Sequence, residues 1–109
     1  MSAQSTKSKL LSLEEILQAI RNNRTLLTRM GASRVGLFGS FARGEADESS
    51  DIDLLVEFTE GKKNYDTFID LCFFFEDLFD RNVDLLTPAS LSPYLKQQIE
   101  AEVRFEKLQ

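Results

Sequence analysis

Apolar residues in the first third of the chain recur at helical spacing. Leu13, Ile16, Leu17 and Ile20 share one face, and Leu27 and Met30 continue the stripe. Ser12 followed by Glu15 is a capping-box pattern, and Gly31 is a stop signal. Together they predict a helix over residues 12–30. The period then changes. Arg34 to Phe38 is short, mostly apolar and β-prone, the mark of a buried strand. Gly39 to Gly44 (GSFARG) reads as a turn leading into a short helix, and Glu45 to Ser50 as a polar loop. Asp51 to Phe58 (DIDLLVEF) predicts a second strand, followed by a solvated turn at Gly61, Lys62 and Lys63. Asn82 to Thr87 (NVDLLT) predicts a third strand stopped by Pro88. Ser92 and Pro93 form an N-cap and first helical position, and Leu95, Ile99 and Val103 mark one face of the last helix.

Between the second and third strands, Tyr65 to Phe79 is helical in length and unusually apolar, ending near Arg81. Tyr65, Phe68, Ile69, Cys72, Phe75 and Phe79 form one stripe, Leu71, Phe74 and Leu78 a second, and Phe73 lies outside both. Two readings stand side by side: a helix buried between the sheet and the last helix, or one whose surplus apolar groups bind another protein or a second copy of the chain. Cys72 reads as a small core residue on this helix.

The resulting order, αβαβαβα, predicts an α/β (α+β) fold with a small sheet flanked by helices. A chain of 109 residues has room for one compact domain. We expect that domain over residues 12–109, with residues 1–11 a flexible, polar N-terminal tail.

Composition narrows the chemistry. The chain has no histidine, which removes Ser-His-Asp and Cys-His catalysis, histidine bases and His-containing zinc sites. Its one cysteine cannot form an internal disulfide and suits a reducing cytosol, so a cytoplasmic location is expected. Eighteen acidic against thirteen basic residues give a net charge of -5, which argues against DNA or RNA as the main partner. No segment reaches the roughly 20 apolar residues that span a bilayer, and the N-terminus lacks the apolar core of a signal peptide, so no membrane association is expected.

What remains is carboxylate chemistry. Residues two apart on a strand face the same way, so Asp51 and Asp53 present two carboxylates side by side. Like charges that close repel, and a hard divalent cation such as Mg²⁺ relieves the conflict. The bland alternative is a solvated strand start. Asp84 sits in an apolar run, Val83 to Leu86, which reads as a strand well inside the sheet. A lone buried aspartate there needs a reason, and a shared metal supplies one. Three carboxylates allow a two-metal site for an in-line displacement. Gly39 and Ser40 lie between a strand and a helix start, where free backbone N–H groups favour anions. They form a candidate phosphate cradle. Arg43 either meets phosphate charge or fixes the loop against Asp47 or Glu48. Glu57 shares the parity of Asp51 and Asp53 but lies further along the strand, and reads as structural.

The stretch GSFARGEADESSDIDLLVEF resembles the signature of the DNA polymerase beta-like nucleotidyltransferase superfamily. Within it, the chain resembles the minimal nucleotidyltransferases of the MntA type, usually antitoxins encoded beside a HEPN-domain toxin. The resemblance runs from the first helix through the Asp84 strand to the last helix. It implies a mixed sheet with the site gathered at one edge. It implies that Gly39 and Ser40 bind the triphosphate and that Asp51 and Asp53 hold two Mg²⁺ (or Mn²⁺) ions. It further implies that Asp84 ligates the catalytic metal and helps deprotonate an acceptor hydroxyl. The implied reaction moves AMP from ATP to a hydroxyl of a partner protein, a tyrosine of a HEPN toxin. Two other functions stay open: nucleotide transfer to a small molecule such as an antibiotic, and masking of a partner by contact alone.

Overall fold

In the computed structural model, residues 11–108 are described. Most of the expected tail therefore lies outside the described residues. Leu11, at its end, packs against the core.

The predicted first helix is two helices, α1 (Leu13–Asn22) and α2 (Arg24–Arg29). The capping box forms as expected: Ser12 Oγ accepts from the Glu15 amide, and the Glu15 carboxylate accepts from the Ser12 amide. The break falls at Asn23, whose side-chain Nδ2 donates to the Ala19 carbonyl at 2.8 Å. A short amide side chain that competes for backbone partners interrupts a helix that the apolar stripe alone would continue.

Strand β1 (Ala32–Phe38) leads directly into a single helical turn, α3 (Gly39–Arg43). After the 44–51 loop come β2 (Ile52–Phe58), α4 (Tyr65–Phe79) and β3 (Val83–Leu86). A 3-10 turn at Pro88–Ser90 precedes α5 (Pro93–Glu102), and the chain closes with β4 (Arg104–Lys107). The last strand was not expected. Val103, predicted on the last helix, already has extended backbone and starts the turn into β4.

The sheet order is β3-β2-β1-β4. β1 runs antiparallel to both β2 and β4, while β2 and β3 are parallel, so the sheet is mixed. Strand parity divides its faces. Val35, Leu37, Ile52, Leu54, Val56 and Leu85 pack against Ile16, Ile20, Leu27, Leu71, Phe75 and Phe79 of α1, α2 and α4. Phe38 and Leu55 face the other way, onto Ile99 of α5, with Leu86, Leu91, Val103 and Phe105 around them. α4 and α5 therefore cover opposite faces, and α4 is not sandwiched between the sheet and the last helix. Its buried positions are Leu71, Phe75 and Phe79, so the core-facing line draws from both predicted stripes. Phe75 and Phe79 stack with ring centroids 6.3 Å apart. Tyr65 and Phe73 remain largely in solvent. Among the described residues, no helix is long and apolar enough to cross a membrane.

Candidate active site

Four chain ends meet at one end of the sheet. β1 ends there at Phe38, and antiparallel β2 begins there beside it, with Phe38 opposite Asp53. β3 is parallel to β2, so it also begins there, with Asp84 opposite Asp53. β4 is antiparallel to β1, which brings the end of α5 to the same place. The topology alone thus gathers the β1–α3 turn, the starts of β2 and β3, and the α5–β4 corner.

Asp53 and Asp84 are register partners on strands about 4.8 Å apart, on the face that carries Leu55 and Leu86. Asp53 is half-buried. Burial pushes its carboxyl up to about 6, helped by the negative charges of Asp84 and Asp51 and opposed by Arg43. Asp51 lies just before β2 and is exposed. Its loop is shaped by Asp47, whose carboxylate accepts from Ser49 and Ser50 and is held below the usual aspartate range by those bonds. Arg81 secures the same loop from below, donating Nη1 to the Glu48 and Ser50 carbonyls at 3.0 and 2.9 Å. Nothing in the sequence pattern marked Arg81 as the anchor that sets the approach to Asp51.

Asp84 departs from expectation. β3 is an edge strand, and Asp84 is exposed. The argument from a buried, unpaired aspartate therefore fails for Asp84. The carboxylate that burial perturbs is Asp53, and strand register brings Asp84 beside it.

Gly39 fits the turn for two reasons. Its φ is +76°, in the left-handed region, and a Cβ there would overlap the Asp53 carboxylate. Glycine lets the β1–α3 backbone lie directly against Asp53. We expect Gly39→Ala to cost about 1–3 kcal/mol through backbone strain and displacement of Asp53, and to lower activity out of proportion. Denaturant unfolding and an activity assay on one preparation test this; an unchanged midpoint and rate would contradict it.

The cradle's amide is not free. Gly39 N–H donates to Glu102 Oε2 at 2.7 Å. Arg43 settles on neither of its two expected loop partners, Asp47 and Glu48. Its Nε donates to Glu45 at 3.0 Å and its Nη1 to Glu102 at 3.1 Å. These bonds hold the guanidinium firmly protonated. Ser40 is half-buried in the same turn. Phe38, Gly39, Ser40, Arg43 and Asp53 line one side of an open cleft of about 660 Å³, and Leu95, Gln98, Ile99, Ala101 and Glu102 of α5 line the other. The volume suits a small-molecule ligand. Asp51 and Asp84 lie outside that lining, next to Asp53.

Among the described residues, no three acidic or thiol side chains form a ready cage for a metal ion. The donor set nonetheless fits a hard divalent cation. Mg²⁺ takes one or two protein carboxylates and completes its shell with waters and substrate phosphates. A carboxyl pushed up by burial and by like-charged neighbours is one that such a cation would return to its ionised form.

Comparison with known proteins gives the family. Residues 13–105 match the family model described as nucleotidyltransferase domain. The chain is 38% identical over 95 residues to protein adenylyltransferase MntA of Thermococcus cleftensis, covering 86% of this chain and 95% of that protein. A solved structure described as a candidate minimal nucleotidyltransferase superposes with a TM-score of 0.67 at 39% identity, covering 81% of this chain and 93% of that one. A toxin–antitoxin crystal structure with AMP-PNP superposes with a TM-score of 0.62 at 26% identity, covering 82% of this chain and 72% of that one.

Proposed function

The chain belongs to the nucleotidyltransferase domain family and is an enzyme of that class, and on that premise we propose that it transfers AMP from ATP to a hydroxyl of a partner protein. The partner we propose is a HEPN-type toxin, the acceptor a tyrosine, and the outcome neutralisation of the toxin in the cytoplasm. The observation that carries this reading is the contact of Gly39 with Asp53, itself in register with Asp84. Phosphate-binding turn and carboxylates thereby share one end of the sheet.

Each residue has a task. Gly39 and Ser40 receive the triphosphate, through a backbone amide and a hydroxyl. Arg43 supplies positive charge at the cleft wall. Asp51 and Asp53 would hold the divalent ions, with Asp84 as the third carboxylate. Bound Mg²⁺ would offset the triphosphate's charge and polarise the α-phosphate. The acceptor oxygen attacks the α-phosphorus, a new P–O bond forms, and the bond to the bridging oxygen breaks to release pyrophosphate. Asp84, exposed at the sheet edge, takes the acceptor's proton. The open cleft leaves room for a side chain presented by another protein. Tyr65 and Phe73, exposed on α4, are available for contact with that partner.

The reading requires a metal. Transfer of labelled nucleotide should stop in excess chelator and return with added Mg²⁺ or Mn²⁺. Undiminished transfer in chelator would remove the metal-dependent reading.

A further inference from the structure

The proposed triphosphate site already contains an anion, and it comes from the chain itself. Glu102 is the last residue of α5, and its side chain is 26% exposed. One carboxylate oxygen accepts from the Gly39 amide at 2.7 Å, and the two oxygens lie 3.1 and 3.4 Å from Arg43 Nη1. A backbone amide and a guanidinium are the donors a phosphate oxygen would use.

We propose that Glu102 is an exchangeable occupant of the anion site, holding the Gly39 amide and Arg43 until a nucleotide triphosphate displaces it, so that Glu102 sets nucleotide affinity. The inference rests on the reading of this cleft as the nucleotide site.

Three features support exchange over a fixed structural bond. First, the carboxylate shares its cleft with Asp53, and Asp53 is flanked by Asp51 and Asp84. Placing a further negative charge there is electrostatically unfavourable unless the donors reward it. Second, Arg43 is held twice. Nε stays on Glu45 at 3.0 Å while Nη1 serves Glu102, so the guanidinium keeps its orientation when Glu102 leaves. Third, release needs no backbone motion. The α5–β4 corner is anchored by the pairing of β4 with β1, and the Glu102 side chain, 26% exposed, already lines the open cleft, where a competing anion can reach its partners.

The sequence held no sign of this role. Glu100, Glu102 and Glu106 look alike in the terminal segment. Only the docking of α5 on the face of Phe38 and Leu55 selects Glu102.

The test uses the full chain and two variants. Glu102→Gln keeps the shape and removes the charge. Glu102→Asp keeps the charge and shortens the arm by one methylene. Calorimetry with Mg²⁺ and non-hydrolysable ATP should show tighter binding for both, about tenfold for Glu102→Gln, the scale of one lost charge-assisted competitor. The Gly39 amide proton should also move upfield in both variants before nucleotide is added, because its bond to a carboxylate is lost. Equal or weaker affinity in both variants would overturn the proposal. Weakening confined to Mg²⁺-containing samples would make Glu102 a metal ligand instead, and would equally overturn it. Wild type serves as the control that separates the two readings. If wild type binds nucleotide and the variants bind no better, Glu102 is structural and the nucleotide site stands. If wild type binds none, both readings fall together.

Discussion

Asp53→Asn should reduce nucleotide transfer by about a thousandfold or more, equivalent to about 4 kcal/mol of lost transition-state stabilisation. The substitution keeps size and shape but removes the charge most central to the carboxylate group. Transfer at phosphorus depends on positioning and charge compensation, so little activity should survive. The fold should respond in the opposite sense. Asp53 titrates at about 6 in the folded, metal-free protein, above its ordinary value of 3.8. A raised carboxyl pKa means that the folded state binds the proton more tightly than the unfolded state. Below about pH 4 both states are protonated and there is no penalty. As pH rises through 6 the penalty appears in full, and the metal-free wild type loses stability. Asparagine cannot ionise and escapes that loss. Without metal, the melting temperature of Asp53→Asn should therefore gain on wild type between pH 4 and 6 and hold its lead above. Added Mg²⁺ should reverse the order, because wild type gains binding free energy that the variant lacks. A constant gap across this pH range would mean that Asp53 is not the crowded group described here.

Phe75→Ala should be the most damaging single truncation for stability. Phe75 is fully buried at the centre of the core that joins α4 to the sheet, with Phe79 stacked beside it and Phe74 edge-on at 5.6 Å. Removing such a ring costs about 3–5 kcal/mol, a large share of the roughly 5–15 kcal/mol that holds a small domain together. At about 4–8 °C per kcal/mol, the melting temperature should fall by more than about 10 °C. Phe73→Ala, on the exposed side of the same helix, should leave it nearly unchanged. Comparable losses from the two would show that α4 is rotated relative to the packing described.

Much of this architecture was legible in the chain, and the exceptions have physical causes. Three strands and the long α4 announce themselves through unbroken apolar runs, which survive errors at their ends. β4 does not. Arg-Phe-Glu-Lys is short, charged at three of its four positions and on an edge, where polarity is tolerated and the strand signal is weak. The break at Asn23 depends on a side-chain bond to Ala19 that periodicity cannot register. The mixed sheet was expected only through family resemblance, because register and direction are set by contacts distant in sequence.

The site shows the same division. Gly39, Ser40, Asp51 and Asp53 are close in sequence, so their spacing carried the chemistry, and Asp84 joins them through strand register. The surroundings of Asp84 were misjudged because an apolar tetrapeptide looks the same in a central strand and at an edge. Arg43 was expected on phosphate or on Asp47 or Glu48, and it binds Glu45 and Glu102 instead; Glu102 lies 59 residues away and arrives only when α5 docks. The occupied Gly39 amide and the Arg81 anchor were invisible for the same reason.

The central claim is that these residues move AMP onto another protein. Its most direct test is the intact mass of a candidate toxin partner after incubation with the chain, ATP and Mg²⁺. We predict an increase by one or more AMP units with wild type and none with Asp53→Asn, together with loss of neutralisation by that variant. Full neutralisation by Asp53→Asn with no change in partner mass would contradict the account, because contact alone would then suffice.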